Sequence, residues 1–277
     1  MECLVCGTIG SQVVFNDWGF EVVECPSCHF GIVSPLPDIP TLAAMYDSAE
    51  YFSSHMHYNY AAMDSDQIKI QVVAAGKLHQ GILGGLATNV QSVLEIGPGG
   101  GFALKHFEQQ GKQVLAVETS AASSQFMRQR LGLAVENAML ETFQTTETWD
   151  LVMLNHVLEH FLDLRAAMAK LSSLVATGGL LYIRVPNHNS YDRLQMGNAW
   201  PAYLPFHISY FSEQSLRLLL QQSGFQVVHT SSFISENFLK GAPNFVRQLG
   251  IRILKATGKA DSYQGRTVAI VGRKIAA

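Results

Sequence analysis

The run Val93-Leu94-Glu95-Ile96-Gly97-Pro98-Gly99-Gly100-Gly101 constrains this chain more than any other segment. It predicts a buried strand that ends in a glycine-rich turn and opens a helix over Phe102 to Gln110. Glycine at such a turn lets a ligand approach the backbone, and the first N–H groups of the helix point at it. A second apolar strand, Gln113 to Val117, follows at once and ends in Glu118 and Thr119. An acid at the tip of the second strand is placed to accept hydrogen bonds from both hydroxyls of a ribose. Together these features predict an α/β chain whose parallel sheet takes a nucleoside-containing cofactor at its carboxyl edge.

The dinucleotide fingerprint needs glycine at the first, third and sixth positions of the turn. Here the first is Gly97 and the third Gly99, but the sixth is Phe102, which blocks the tight helix–strand packing of that fold. No Walker lysine follows. The pattern Glu95-x-Gly97-x-Gly99-x-Gly101 resembles motif I of the class I S-adenosylmethionine (SAM) methyltransferases. Trp149 to Leu154 resembles their fourth strand, His156-Val157-Leu158-Glu159-His160 the segment after it, and Gly178 to Pro186 the turn and fifth strand. The resemblance runs from about residue 90 to 235 and keeps the family's order. It implies a Rossmann-like seven-stranded sheet whose last strand is antiparallel. The short third strand then falls at Leu133 to Glu136, strands six and seven at Gln226 to Thr230 and Thr267 to Arg273, and helices at Ala121 to Leu131, Leu162 to Val175 and Ser212 to Ser223. The resemblance also implies SAM contacts at Glu95, Gly97, Pro98, Gly99, Gly101, Glu118, Thr119 and Asn155, with Asn137, Ala138 and Met139 around the adenine.

All four cysteines lie in the first 28 residues, as Cys3-x-x-Cys6 and Cys25-x-x-Cys28 with eighteen residues between the pairs. Two such turns aim four thiolates at one tetrahedral zinc ion. Gln12 to Phe15 and Phe20 to Glu24 alternate like a hairpin around Asn16-Asp17-Trp18-Gly19, which is the layout of a zinc ribbon. So short a segment buries too little apolar surface to fold alone, and the metal would supply the difference. Two disulfides or a redox pair are the competing reading, which an intracellular compartment disfavours. His29 reads as an exposed neighbour of Cys28 rather than a ligand.

The segment Ser34-Pro35-Leu36-Pro37-Asp38-Ile39-Pro40 is a proline-rich strap, followed by a short helix from Thr41 and a tyrosine-rich stretch, Tyr46 to Phe52. Ribbon, strap and tyrosine stretch in this order resemble a bacterial methyltransferase subgroup of sugar and natural-product pathways, in which the tyrosine segment lids the cofactor; Tyr51 is assigned that contact. His55 and His57 read as lid or surface residues, and Ile68 to Leu83 as the helix before the first strand. The chain thus divides into a zinc ribbon (1–33), a linker and helical lid (34–88) and a SAM-binding domain (89–277) with substrate-capping inserts near 187–211 and 231–266.

His156, Glu159 and His160 would share one face if they formed the first turn of a helix. The same letters match the inverted zinc-peptidase motif, which needs a long helix; Asp163-Leu164-Arg165 instead begins a fresh one. His207 lies in the insert after strand five, a substrate-facing position in this fold. Small-RNA 2′-O-methyltransferases and ubiquinone-pathway O-methyltransferases, which the set resembles, hold a divalent ion near the acceptor hydroxyl with such residues. Their pattern opens with glutamate and this one with His156. A general base for the acceptor proton is the other use, with His156 and His207 facing the acceptor and Glu159 and His160 orienting or charging the pair; bracing of the sheet edge by Glu159 and His160 is a third.

Length and composition fit one large domain with a small one: 277 residues, 48% hydrophobic and 15% charged. Net charge is −3 with no Lys/Arg block, so the basic footprint of a nucleic-acid binder is missing. No apolar stretch reaches bilayer length and the N-terminus does not read as a signal peptide, so a soluble, cytoplasmic protein is expected. The expected activity is SAM-dependent methyl transfer to a small polar metabolite, a sugar or natural-product intermediate, with histidine-assisted deprotonation. An RNA methyltransferase gripping RNA with the ribbon and a non-catalytic scaffold for a protein partner are the alternatives.

Overall fold

The computed structural model describes residues 1–17, 19–38, 40–41, 60–233 and 265–276. Tyr51, His55, His57 and the rest of the tyrosine-rich stretch, with most of the 231–266 insertion, lie outside the described residues.

Near the N-terminus, β1 (Gln12–Asp17) and β2 (Phe20–Glu24) form the expected hairpin, and β3 (Gly31–Ser34) adds antiparallel to β2. The helix α1 (Ser65–Leu83) begins at Asp64, whose carboxylate accepts from the Asp66 and Gln67 amides while the Gln67 side chain returns to the Asp64 N–H. This reciprocal cap satisfies amides that have no partner inside the helix. Next come β4 (Ser92–Ile96), α2 (Phe102–Gln109), β5 (Gln113–Val117), α3 (Ala121–Phe126) and β6 (Val135–Glu136). The helix read over Ala121 to Leu131 is α-helical only to Phe126. From Met127 it widens to a π turn, because the Gly132 N–H, at φ 67°, reaches back to the Met127 carbonyl.

The second half contributes β7 (Trp149–Asn155), α4 (Leu164–Leu174), β8 (Val175–Pro186), α5 (Tyr191–Met196), β9 (Ser209–Tyr210), α6 (Glu213–Gln222), β10 (Phe225–Phe233) and β11 (Thr267–Lys274). Seven strands form one sheet in the order β10-β11-β8-β7-β4-β5-β6, with β11 antiparallel to both neighbours. Its central strands are buried on both faces, so Leu151 to Leu154 and Leu180 to Ile183 read as unbroken apolar runs. Among the described residues no helix is long and apolar enough to cross a membrane.

The ribbon does not stand apart from this sheet. The two-residue strand β9, from the insert after β8, pairs with β3 and completes a second sheet, β1-β2-β3-β9. Phe30 and Ile32 join the apolar layer that also holds Phe211 and Leu216, while Phe15, Phe20 and Val33 pack on Trp200 and Tyr203 of the insert. The core therefore crosses the division read at residue 33. At about 1.5–3 kcal/mol for each large apolar side chain buried, docking adds substantially to whatever a metal supplies.

Gly31 makes the close approach at this junction. A Cβ there would lie 2.7 Å from Cε1 of His188, a ring that is wholly buried, and 3.1 Å from the Tyr210 Cβ. Gly31→Ala should therefore lower stability by about 1–3 kcal/mol through overpacking. Urea unfolding checks this; an unchanged midpoint would mean the His188 ring can yield.

Candidate active site

The glycine turn leaves β4 with Gly97, Gly99 and Gly101 at φ 62°, 57° and 70°, a region open to glycine and costly for other residues. Two of the three are also closed in by neighbours. A Cβ on Gly97 would meet Val157 Cγ2 at 2.7 Å, and one on Gly101 would meet Met127 Sδ at 2.6 Å. Gly101 caps α2 without any side-chain hydrogen bond, so the first amides of that helix lack a side-chain partner.

Glu118 stands at the tip of β5, as the sequence predicts. Its Oε2 accepts from the Gly99 N–H at 3.1 Å, and its Oε1 from the Ser120 N–H at 2.8 Å and the Thr119 hydroxyl at 3.4 Å. Burial raises its carboxyl above the ordinary range against the pull of these donors. Asn137 donates its amide to the Glu118 and Thr119 carbonyls at 2.7 and 3.0 Å, bracing that loop. Beside it Ala138 is half-buried and Met139 exposed. Asn155, at the end of β7, accepts from Arg184 Nη1 at 3.2 Å. Glu95 is buried within the sheet, its Oε2 without a hydrogen-bond partner, and burial with the nearby Glu118 pushes its carboxyl up to about 8. Pro98 fills the turn between Gly97 and Gly99, half-buried.

The histidine segment packs directly on this turn through Val157. It is not the first turn of a helix. His156 sits at φ 58°, its N–H on the Arg184 carbonyl at 2.8 Å, and Leu158–His160 is a single 3-10 turn. A non-glycine residue in the left-handed region stores about 1–3 kcal/mol and is concentrated at functional sites. The bend still brings His156 and Glu159 together, Nδ1 to Oε1 at 3.3 Å. His207 joins them from the insert: its ring lies 4.9 Å from that of His160. Ligating atoms of Glu159, His160 and His207 all fall within 4.8 Å of one another.

Glu159 is fully buried, and neither carboxylate oxygen accepts a well-aligned hydrogen bond. Burial alone would raise its carboxyl, but His156 and the His160 and His207 imidazoles outweigh that and hold it at about 2, so it is an anion at neutral pH. Burial lowers the His160 imidazole. Two backbone carbonyls orient the rings: Phe206 O lies 3.0 Å from His160 Nδ1, and Ala202 O lies 2.8 Å from His207 Nδ1. A carbonyl accepts only from N–H, so each ring carries a proton on Nδ1. The arrangement gathers a buried anionic carboxylate and two imidazole rings on the segment that packs against the glycine turn through Val157.

One further residue at the turn escaped the sequence reading. The Tyr60 hydroxyl lies 3.2 Å from where a Cβ on Gly99 would stand, and its ring packs on Phe102 and Phe126. It is a tyrosine over the turn, nine residues past Tyr51, which lies outside the described residues. Only its place just ahead of α1 marks it.

The four cysteines also converge. Cys3 and Cys28 sulfurs are 3.6 Å apart, Cys6 and Cys25 sulfurs 3.5 Å, and all four are free thiols within 4.8 Å of one another. A tetrahedral zinc with bonds of about 2.3 Å spaces its sulfurs by roughly 3.8 Å, so the donor set fits that ion. His29 takes no part: its Nδ1 lies 2.9 Å from Glu24 Oε1.

Residues 67–230 match the family described as "Methyltransferase domain". A ubiquinone biosynthesis O-methyltransferase from Rhodopseudomonas palustris (strain TIE-1) is 28% identical over 102 residues, 35% of this chain and 40% of that protein. The match thus spans well under half of that relative. A SAM-dependent methyltransferase from Archaeoglobus fulgidus superposes with a TM-score of 0.56 at 20% identity, over 81% of this chain and 99% of that one. The 1,6-didemethyltoxoflavin-N1-methyltransferase of Burkholderia thailandensis, solved with 1,6-didemethyltoxoflavin and S-adenosylhomocysteine bound, superposes with a TM-score of 0.54 at 16% identity, over 96% and 99% of the two chains. At these identities the structures establish the fold.

Proposed function

This chain belongs to the methyltransferase domain family, and on that premise we propose that it transfers the methyl group of SAM to a small polar metabolite, a sugar or natural-product intermediate. The observation that carries the reading is the convergence of Glu159, His160 and His207 on a segment packed against the glycine turn. That the Burkholderia enzyme is a 1,6-didemethyltoxoflavin-N1-methyltransferase with 1,6-didemethyltoxoflavin bound, and that the Rhodopseudomonas relative is a ubiquinone biosynthesis O-methyltransferase, supports a small acceptor.

The residues at the turn fit the cofactor. The orphaned Glu95 carboxyl, poised near neutrality, suits a ligand ammonium group; Glu118 suits ribose hydroxyls; and the uncapped start of α2 offers N–H donors. Bound SAM supplies an electrophilic methyl on a sulfonium whose sulfur leaves as a neutral thioether. The protein's tasks are then alignment and removal of one proton. His207 or His160 takes the acceptor proton as the acceptor–methyl bond forms, the Nδ1 carbonyl contacts keep the rings aimed, and ionised Glu159 stabilises the imidazolium. His156 holds Glu159 from the solvent side. Two imidazoles and a carboxylate also fit a divalent ion, which at Glu159, His160 and His207 would lower the pKa of a bound acceptor hydroxyl. Cys3, Cys6, Cys25 and Cys28 would hold a structural zinc, closed to substrate by its four protein ligands.

Titration of S-adenosylhomocysteine tests the cofactor assignment. Glu118→Ala should weaken binding by about 1–3 kcal/mol through loss of charge-assisted ribose hydrogen bonds. Equal affinity in the variant would sink the ribose assignment.

A further inference from the structure

A buried polar network joins the ribbon to the insert that carries His207. Glu24, the residue before Cys25, pairs with Arg193 of α5, Oε2 to Nη2 at 2.6 Å. Arg193 Nε donates to the Tyr203 hydroxyl at 3.1 Å, and that hydroxyl lies 3.3 Å from His188 Nε2. His188 Nδ1 lies 3.3 Å from the His29 carbonyl and 3.6 Å from Glu24 Oε2. Burial, with the Arg193 charge, keeps the His188 imidazole neutral. One proton arrangement then satisfies every contact: His188 Nδ1–H donates to His29, Tyr203 O–H donates to His188 Nε2, and Arg193 donates to both Tyr203 and Glu24.

The far end of the network reaches the candidate active site. Tyr203 adjoins Ala202, whose carbonyl takes the His207 Nδ1 proton. A backbone route runs beside it: the Val33 N–H of β3 donates to Ile208 O at 3.0 Å, and the Ile208 N–H donates to Glu159 O at 2.8 Å. Both routes begin on the ribbon and end on a residue of the cluster.

We infer that Arg193 is a positioning residue: anchored by Glu24 of the ribbon, it holds the 202–208 turn so that Ala202 fixes the tautomer and aim of His207. Methyl transfer would then depend on the ribbon although no ribbon residue lies in the cluster. A buried ion pair is a costly way to hold two elements together, and an apolar pair of equal volume serves stability as well or better. What the pair adds is one orientation, because Arg193 fits only when Glu24 and Tyr203 are both in place.

The inference rests on the reading of His207 as proton acceptor, and its test does not need the acceptor molecule. Arg193→Met in the full chain should leave zinc content and S-adenosylhomocysteine affinity unchanged. It should accelerate Ile208 amide exchange about 100-fold, as expected when buried Glu24 loses its guanidinium, keeps only the two histidine contacts, and the region opens locally. The His207 ring nitrogens should lose their Nδ1–H signature in ¹H–¹⁵N spectra. The Glu24→Gln/Arg193→Met double variant should recover part of the Ile208 protection, since no full charge is left unpaired. Arg193→Lys keeps the charge but cannot reach Glu24 and Tyr203 together, so it should shift His207 partway. Unchanged exchange and unchanged His207 signals in Arg193→Met would overturn the inference. If that variant fails to fold, unchanged signals in Arg193→Lys overturn it equally. If His207→Ala keeps full turnover, the reading of His207 as acceptor falls, while these signals still decide what Arg193 does.

Discussion

Replacing His207 by alanine is expected to cut methyl transfer by about 10²–10⁴-fold, the usual worth of a positioned general base. The loss should fall on kcat, with S-adenosylhomocysteine affinity unchanged, because Glu118 and the glycine turn lie on other elements. His160→Ala should cost as much if its ring is the acceptor, since the two rings stand together on one carboxylate. Glu159→Gln keeps the shape and removes the charge. It should lower turnover while leaving the fold intact, because an amide cannot stabilise the imidazolium. Turnover is read with methyl-labelled SAM on an acceptor drawn from a metabolite extract. If the divalent-ion reading holds instead, a chelator too weak to strip four thiolates lowers activity and added metal restores it. If all three variants keep near-wild-type turnover, the cluster is a brace for the sheet edge. Proximity and alignment then carry the reaction.

The second large effect is at the ribbon. Elemental analysis of purified protein should find one zinc per chain, and Cys25→Ser should abolish it. Zinc supplies about 10–16 kcal/mol of folding energy to isolated finger peptides. Here Phe30 and Ile32 are buried against the main domain, so part of the ribbon's stability survives without the ion. With roughly 2–4 °C lost per kcal/mol in a domain of this size, losing a few kcal/mol should lower Tm by about 10 °C. Four protein ligands leave that zinc no open position, which by itself places the damage in folding rather than chemistry. The pairing of β3 with β9 changes that expectation: the turn bearing His207 should loosen as well, and turnover should fall with zinc content. Zero zinc in the native protein, or a mass showing two disulfides, contradicts the assignment.

The sheet was legible because its strands are buried on both faces. Val93 to Ile96, Leu151 to Leu154 and Leu180 to Ile183 leave no other reading, and Glu118 follows from where β5 must end. The cysteine pairs were legible by spacing. What stayed hidden depends on long-range contact. Strand β9 has two residues and no periodicity of its own; only β3 makes it a strand. The Glu24–Arg193 pair joins positions 169 apart, and each residue alone reads as a surface charge. The left-handed turn at His156 was missed because that conformation is unusual outside glycine and asparagine. The histidine segment therefore reads as helical by spacing, yet the four side chains meet by another geometry.

The most direct test of the account is a crystal structure with S-adenosylhomocysteine bound. The ribose should lie on Glu118 and the thioether sulfur should face the cluster, within about 8 Å of a ring nitrogen of His207 or His160. That distance is the sum of one carbon–sulfur bond, a methyl-to-acceptor approach of ~3 Å and a hydrogen bond of ~3 Å. A nucleoside bound away from Glu118, or a sulfur turned from both imidazoles with no room between for an acceptor, would contradict it.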